Sequence, residues 1–371
     1  MKPLVCVPYS FIGNGAPHAL TLCLLLFISL LLTLAEYLGE GCISAMSGEA
    51  EIWKRLPQDH LARSTRLPWY HQDFEYKLRP AFRRLLEEWS KIASSDVVLH
   101  IDRVVSHTAI QTIQRILISV QRTQAWEVFP WPCIGEFWFI EQGLLRHPDY
   151  PSILNRIKSA SPASTFLDLG TCLGQDIRTL LHDGAPPSGI YGADVLPGFR
   201  EAGYALFQDR DRFDESHFIV GDIFSGTDGL ARTRKTWDII HIAMFLHVFS
   251  LADQETASRK ILELLKPVPG STIIGTQTGS LDAGELKLQP PLCQPGEDKT
   301  IYRQSRETLK ALFEKAAKAA GIDVLVWAEY DDDEARERAA GRKEKGEDWE
   351  KRERFFAGDK ERRIFFRVDV I

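Results

Sequence analysis

The chain has 371 residues, of which 44% are hydrophobic and 26% are charged. These fractions are ordinary for a globular protein, so a substantial core can form in one large domain or two ordinary ones. The formal net charge is −6, and no block of Lys or Arg is long enough to follow a phosphate backbone. General nucleic-acid binding is therefore excluded, and small-molecule chemistry is favoured.

The first feature along the chain is an uncharged apolar run of 17 residues that begins at Ala19 and ends at Ala35. This length is at the lower limit for a membrane-spanning helix and above that of a typical signal-peptide core. Three interpretations stay open: a signal anchor, a cleaved signal peptide, or sequence upstream of an initiator at Met46. Lys2 precedes the run and acidic residues follow it, so the positive-inside rule alone would place the body of the chain in the lumen.

After this leader, the sequence predicts a helical region over residues 46–160. Pro80 suits a first helical position, and apolar residues recur at helical spacing from there to Ile92. A second helical pattern covers about residues 108–124. The segment 126–139, named here the aromatic segment, is dense in aromatic residues and is interrupted by two prolines and a glycine.

From residue 164 onward, short apolar strands alternate with helical segments. This alternation predicts an α/β domain over residues 161–371, with a mostly parallel sheet covered by helices on both faces. Ser250 and Asp253 predict a capping box that opens one of these helices. A charged stretch, about 331–363, predicts a surface insertion between the last two strands, which would make the last strand antiparallel. The predicted strands are 165–169, 189–194, 217–220, 237–243, 271–276, 324–330 and 364–370.

The first of these strands ends in a glycine loop, which begins at Asp168 and contains Gly170 and Gly174. A nucleotide-like ligand binds at the carboxyl edge of such a sheet, where glycine lets it approach the backbone. A dinucleotide fingerprint would also need glycine at the positions of Cys172 and Gln175. The loop therefore argues against a dinucleotide, and by itself it fits a turn without a ligand equally well.

Acidic residues end the next two strands as well. Asp194 comes twenty positions after Gly174, where a carboxylate can accept hydrogen bonds from both hydroxyls of a ribose. Asp222 follows the third strand, where it can accept from an adenine amino group while Ile223 and Phe224 pack on the ring. Carboxylates at successive strand ends, in order and at sensible spacing, predict the phosphate-free nucleoside cofactor S-adenosylmethionine (SAM).

Several motifs together resemble the class I SAM-dependent methyltransferases: the glycine loop, Asp194, Gly-Asp222-Ile, Trp-Asp238-Ile-Ile and Leu-Leu-Lys-Pro-x-x-Gly. Two longer motifs narrow the resemblance: Leu-Asp-Leu-Gly-Thr-Cys-Leu-Gly-Gln-Asp and Phe-x-x-Val-Phe-Ser-x-x-Asp-Gln. They resemble methyltransferases of fungal meroterpenoid and polyketide gene clusters, of the type that esterifies a carboxyl group in austinol-like pathways. The likeness covers about residues 126–279. It implies a Rossmann-like seven-stranded sheet with an N-terminal helical cap, and SAM contacts from Asp168, Gly170, Gly174, Asp194, Val195, Asp222 and Ile223.

The resemblance also implies that the aromatic segment caps the cofactor and the acceptor. A hydrophobic plug that closes the helical layer onto the sheet would need the same aromatic residues. Their abundance favours a bulky apolar acceptor over protein or nucleic acid.

The catalytic requirement depends on the acceptor. A carboxylate is already ionised at neutral pH, whereas a hydroxyl group needs a base within hydrogen-bond reach. His241 on the fourth strand and His247 just beyond it are the candidates, and each is alternatively a packed or substrate-orienting residue. Gln277 and Glu136 are further candidates for orienting the acceptor. No cluster of His, Asp or Glu has ligand spacing, so no metal site is predicted.

The sequence thus predicts a SAM-dependent O-methyltransferase that acts on a carboxyl or hydroxyl group of a meroterpenoid or polyketide intermediate. An N- or C-methyltransferase of the same fold, or a SAM-binding protein without turnover, stays open. Since SAM chemistry is expected in the cytosol, we favour a cytoplasmic catalytic domain, with residues 1–45 as a dispensable leader or a membrane tether. A homodimer is also left open.

Overall fold

A computed structural model describes residues 61–64, 66–71, 74–105, 125–159, 164–293, 295–336 and 360–371. The predicted leader, the predicted helix over 108–124 and most of the predicted charged insertion lie outside these ranges. Within them, no helix is both long enough and apolar enough to span a membrane.

A seven-stranded sheet has the strand order β3-β2-β1-β4-β5-β9-β8. Strands β1 to β5 are parallel to one another, and β9 is antiparallel to both β5 and β8. All seven predicted strands are confirmed, as is the reversed last strand. The bounds are β1 Phe166–Leu169, β2 Ile190–Asp194, β3 Phe218–Val220, β4 Ile239–Ala243, β5 Thr272–Ser280, β8 Val324–Tyr330 and β9 Glu361–Val370.

Helices surround this sheet, and their ends follow the predicted capping signals in two places. The Ser250 hydroxyl accepts a hydrogen bond from the Asp253 amide, so Ser250 is the N-cap as predicted. The Asp253 carboxylate accepts from the Ser250 hydroxyl at 2.7 Å, in place of the Ser250 amide that a full capping box would use. Pro80 is the first residue of its helix. The helices are α1 Pro80–Arg84, α2 Val97–Val105, α3 Ala125–Val128, α4 Pro132–Gly135, α5 Gly143–Arg146, α6 Tyr150–Ser159, α7 Gln175–His182, α8 Pro197–Phe207, α9 Leu251–Leu264 and α10 Arg306–Ala320.

The predicted end of the first helix at Ile92 is wrong. A π-helical turn, Leu85–Trp89, continues α1 and ends it three residues earlier. Lys91 has a left-handed backbone with φ of 59°, which cannot continue a right-handed helix. Ile92 is nevertheless buried, so the pattern of apolar residues continues beyond the last helical residue.

A two-stranded hairpin, β6 Gly284–Lys287 and β7 Thr300–Arg303, was not predicted. Strand β6 has no apolar alternation, and the connecting loop contains Pro290, Pro291 and Gly296, which mask the strand signal. The Tyr302 amide donates to the carbonyl of Phe249 at 2.9 Å. The hairpin therefore lies beside the segment that follows β4, at the carboxyl edge of the sheet.

The largest core cluster lies between the sheet and helices α9 and α10. It includes Ala257, Ile261, Leu264 and Leu265, the residues whose spacing gives α9 its apolar face. A second cluster covers the opposite face of the sheet, where α6 and α7 pack. The parallel sheet is thus covered on both faces, as the near-continuous apolar strands require.

Candidate active site

The glycine loop connects β1 to α7 and is tied to the end of β2. The amides of Gly170 and Thr171 both donate to the carbonyl of Ala193, at 2.8 and 3.0 Å. Gly170 has φ of 77°, and a Cβ there would lie 2.7 Å from the Phe245 ring. Gly174 has φ of 71°, and its Cβ would lie 2.3 Å from the Arg178 guanidinium. Both the backbone angle and the close contacts require glycine at these two positions.

Asp194 at the end of β2 holds the loop from the other side. One carboxylate oxygen accepts from the Cys172 amide at 3.0 Å, and the other accepts from the Leu196 amide at 2.9 Å. Each oxygen has a further lone pair with which to accept another donor. Burial raises the pKa of Asp194 to about 6, so the group is mostly ionised at pH 7. The geometry fits the predicted role of accepting from ribose hydroxyls.

A shallow depression lies between the ends of β2 and β3. Asp194 provides its carboxylate, Arg200 a second charged side chain, and the apolar side chains of Leu196, Pro197, Ile219 and Val220 form much of its wall. A carboxylate beside an apolar wall is the kind of surface that a ribose and its attached base contact. Val195, the next residue after Asp194, is half-buried and packs with the cap.

The end of β3 differs from the prediction in one respect. The Asp222 carboxylate accepts from the Phe224 amide at 2.9 Å, which leaves it at the carboxyl edge of the sheet as expected. The Ile223 side chain, however, packs in the largest core cluster. Phe224 is half-buried and makes an edge-to-face contact with Phe249, with ring centroids 5.2 Å apart. A contact between Ile223 and an adenine ring would therefore have to come from its backbone.

Asp168 and His241 form a buried pair behind the glycine loop. The His241 Nδ1 atom lies 2.8 Å from one Asp168 oxygen, and the Thr171 hydroxyl donates to the other at 2.6 Å. Burial lowers the pKa of His241, but the hydrogen bond and charge of Asp168 raise it further, so the net shift is upward. The His241 side chain is 0% exposed. Asp168 and His241 therefore support the loop, and the Nδ1 atom of the imidazole is engaged with Asp168.

His247 lies in a 3-10 turn, Leu246–Val248, just beyond the end of β4. The Arg303 guanidinium donates to the His247 carbonyl at 2.6 Å. Burial, and then the charge of Arg303, hold the pKa of His247 well below its usual 6.5. The imidazole is consequently neutral at physiological pH and is a weaker base than an ordinary histidine.

Comparison with known proteins agrees with this geometry. The sequence pattern of the meroterpenoid methyltransferase N-terminal domain matches residues 69–140. The O-methyltransferase phiE of Fungal sp. (strain ATCC 74256) is 32% identical over 74% of this chain and 84% of its own length. The methyltransferase trt5 of Aspergillus terreus is 33% identical over 67% of this chain and 81% of its own length. The chain belongs to the fungal meroterpenoid methyltransferase family.

The protein is therefore a methyltransferase, and its sheet has the class I arrangement that the sequence predicts. The strand order and the reversed last strand agree with this assignment. The residues around the depression fit the predicted SAM, because both carboxylate oxygens of Asp194 keep acceptor capacity at the end of β2. In the described part of this methyltransferase, no group of three or more His, Cys, Asp or Glu side chains is arranged to hold a metal ion.

The family domain contains the aromatic segment, which packs as a plug. Trp126, Phe129 and Phe137 are buried in one cluster with Leu173 of the glycine loop and Phe199 of α8. This packing fits the interpretation of the segment as a hydrophobic plug. The segment also contacts the glycine loop directly, and its role as a cap over bound molecules stays a prediction.

Glu136, the predicted acceptor-orienting residue of this segment, is engaged within the cap itself. Its carboxylate accepts from the Trp138 indole, and its carbonyl accepts from Lys77 at 2.7 Å. Only 3% of Glu136 is exposed. These contacts favour a role in holding the cap of the methyltransferase together.

A supporting pair of the methyltransferase escaped prediction. Arg178 on α7 and Asp209 after α8 form two hydrogen bonds, of 2.9 and 3.0 Å, and both side chains are fully buried. A third hydrogen bond runs from Arg178 to the carbonyl of Leu173 in the glycine loop at 3.2 Å. The rings of Tyr204, Phe207, Phe213 and Phe218 surround the guanidinium.

Proposed function

We propose that this methyltransferase esterifies a carboxyl group of a bulky, apolar terpenoid or polyketide intermediate. The observation that carries the proposal is that neither histidine near the end of β4 is placed as an effective base. His241 is buried against Asp168, and His247 is held in a weakly basic, neutral form. A hydroxyl acceptor would need an effective base here, whereas a carboxylate needs none.

The cofactor would be held by the residues already described. Asp194 would accept from the ribose, Asp222 and the wall formed by Ile219 and Val220 would contact the adenine, and the loop from Gly170 to Gly174 would lie against the rest of the molecule. When bound, SAM supplies an electrophilic methyl group on a positively charged sulfur, which becomes a neutral thioether. The remaining work of the protein is to orient the acceptor, and alignment alone can lower a barrier by about 7–11 kcal/mol.

The names of the relatives support the acceptor class. One is described as an asnovolin E/chermesin D methyltransferase from Aspergillus novofumigatus, and phiE is described as an O-methyltransferase. For the present chain, a terpenoid or polyketide carboxylic acid is the corresponding proposal. The buried aromatic residues of the cap and the half-buried Phe245 and Phe249 would provide the apolar surroundings that such a molecule needs.

The test is a paired acceptor panel with methyl-labelled SAM. The acids are farnesoic, abietic and 6-methylsalicylic acid, and the first two are paired with farnesol and abietinol. We expect label in at least one acid and none in the matched alcohol. Transfer to the alcohols alone, or to the phenolic oxygen of 6-methylsalicylic acid alone, would contradict a carboxyl acceptor.

We propose a division of the chain into a leader (1–45), a cap (46–160) and a SAM-binding domain (161–371), with catalysis in the cytoplasm. The leader would be dispensable, so a chain that begins at Met46 should fold and turn over like the full chain. Loss of activity on this truncation, with folding retained, would contradict the division. No observation on the described residues supports the membrane tether or the homodimer, and we do not propose them.

A further inference from the structure

Gln277 occupies a special position on β5. The preceding residue, Thr276, is the last one on β5 that pairs with β4, opposite Ala243. Strand β4 ends there because Met244 adopts a left-handed backbone with φ of 52°, and its amide donates to the Thr276 carbonyl at 2.7 Å. Gln277 is therefore the first β5 residue beyond the end of β4, at the edge of the sheet where a class I enzyme carries out its chemistry.

The Gln277 side chain is almost completely buried, with 1% of its surface exposed. Neither its amide nitrogen nor its amide oxygen has a hydrogen-bond partner among the residues that the structure describes. Burying an amide without a partner costs free energy, and native proteins satisfy the large majority of such groups. A second molecule that hydrogen-bonds to this amide would offset the cost.

The surroundings of Gln277 provide further polar atoms. Because side chains alternate along a strand, Gln277 shares a face with Gly275 and Gly279, and both glycines are closely packed. A Cβ on Gly279 would lie 2.4 Å from the Gln304 carbonyl oxygen. The 3-10 turn that contains His247 packs against β5, as does β7. The His247 Nδ1 atom and the Gln304 Oε1 atom are also buried without a hydrogen-bond partner among the described residues.

Gln254, a second buried glutamine of this region, is already satisfied. The Gln254 amide nitrogen donates to the carbonyls of Phe249 and Tyr302, at 3.0 and 2.8 Å. Its oxygen accepts from Gln304 at 3.0 Å. Of the three buried glutamines near this edge, Gln254 has a complete set of partners, Gln304 has a partner for its nitrogen, and Gln277 has none among the described residues.

We propose that Gln277, together with the imidazole of His247, binds the carboxyl group of the acceptor, with the Gln277 amide donating to the carboxylate oxygen that is not methylated. This inference rests on the proposed function and names the residues that orient its substrate. Gln277 and His247 would thus be positioning residues that touch the acceptor, and neither would take up a proton.

The chemistry favours a neutral binding group at this position. The attacking carboxylate oxygen forms a bond to the methyl carbon while the methyl–sulfur bond breaks, and the electron pair of that bond stays on sulfur. No proton is released, and the negative charge of the carboxylate disappears along the reaction. A cation in direct contact would stabilise the charged starting state more than the transition state and so oppose the transfer. A neutral amide and a neutral imidazole orient the group with less of this penalty.

The test compares Gln277→Met with the full-length wild type, using farnesoic, abietic and 6-methylsalicylic acid as probes. Methionine has nearly the same shape but no amide. We expect kcat/KM for the acid that is methylated best to fall about tenfold or more, since a hydrogen bond to a charged group is lost. The affinity for S-adenosylhomocysteine, measured by calorimetry, should stay within twofold, because Gln277 lies away from the cofactor residues.

Thermal unfolding separates this role from a structural one. Gln277→Met should leave the Tm unchanged or raise it, because no hydrogen bond within the fold is lost. Gln254→Met is the matched control, and it should lower the Tm because its amide has three partners. A Gln277→Met enzyme with wild-type kcat/KM, or with a lowered Tm and weakened cofactor binding, would overturn the inference. The proposed function would still stand in that case, provided that the wild type methylates an acid. A wild type that methylates none of the acids would overturn both.

Discussion

The Arg178 guanidinium and the Asp209 carboxylate form a fully buried bidentate ion pair directly beneath the glycine loop. The pair links α7 to the chain after α8, and Arg178 also holds the carbonyl of Leu173 in that loop. The Trp89 indole donates to Asp209 at 3.0 Å, which connects the same pair to the cap. One buried charge pair thus joins the cap, the cofactor loop and the helical layer.

Removing the charge of Asp209 should be strongly destabilising. Asp209→Asn leaves the Arg178 cation buried without its counter-ion, and breaking such a pair typically costs about 3–5 kcal/mol. Urea unfolding measures the change. Glu201→Gln is the control, because it removes solvent-accessible ion pairs with Arg200 and Arg210, each of which should contribute about 0–1 kcal/mol. Equal effects of the two substitutions would contradict a structural role for the buried pair.

The Gly174 backbone should not tolerate a side chain. Gly174→Ala places a Cβ on a left-handed residue, at a cost of about 1–2 kcal/mol, and directs it at the Arg178 guanidinium. We expect a lower free energy of unfolding and weaker binding of S-adenosylhomocysteine. Gly284→Ala is the matched control, since its Cβ would meet nothing within 4 Å. A Gly174→Ala protein as stable as Gly284→Ala would show that the loop can adopt another geometry.

Cofactor binding should depend on pH through Asp194. Burial raises the pKa of this carboxyl to about 6, so acidification from pH 7 to pH 5 protonates it and removes acceptor capacity. The affinity for S-adenosylhomocysteine should therefore fall with decreasing pH in the wild type. Asp194→Asn has less acceptor capacity than the carboxylate, so its affinity for S-adenosylhomocysteine should be lower at pH 7. Because the amide cannot titrate, the variant should also lack this component of the pH dependence. Calorimetry across the range measures both, and identical pH profiles would remove Asp194 from the ribose site.

The rate of methyl transfer to a carboxylic acid should not rise with pH above neutrality. The acceptor is already ionised, and the pKa of His247 lies well below 6.5, so neither group changes its charge between pH 7 and 9. We expect a flat profile of kcat/KM for the best acid of the panel. A tenfold rise per pH unit through this range would instead indicate that a proton is removed from the acceptor.

The sequence predicted the fold well where local patterns decide it. The apolar strands and the Ser250 N-cap depend on short-range chemistry, and both are confirmed. Strand β6 has no such pattern, and its pairing with β7 depends on contacts across a proline-containing loop. The end of α1 was missed because Lys91, a residue without strong turn preference, adopts the left-handed backbone that stops the helix.

The site was predictable only in part, because its chemistry depends on long-range pairing. Asp194 and both loop glycines have the geometry that their strand-end positions indicate. The pairing of His241 with Asp168, 73 residues earlier, could not be read from the sequence, and it buries the imidazole that was a candidate base. Ion pairs such as Arg178–Asp209 leave no local signal either. Burial of the Gln277 amide likewise depends on the fold around β5.

The central claim is that this enzyme forms a methyl ester, and the lability of the product tests it most directly. The protein is incubated with methyl-labelled SAM and the acid panel, and each labelled product is then heated in strong alkali, which also cleaves hindered esters. The account predicts label that is released as methanol, together with recovery of the starting acid. Label that stays on the product, as it would in a methyl ether, a methylamine or a ring-methylated compound, would contradict it.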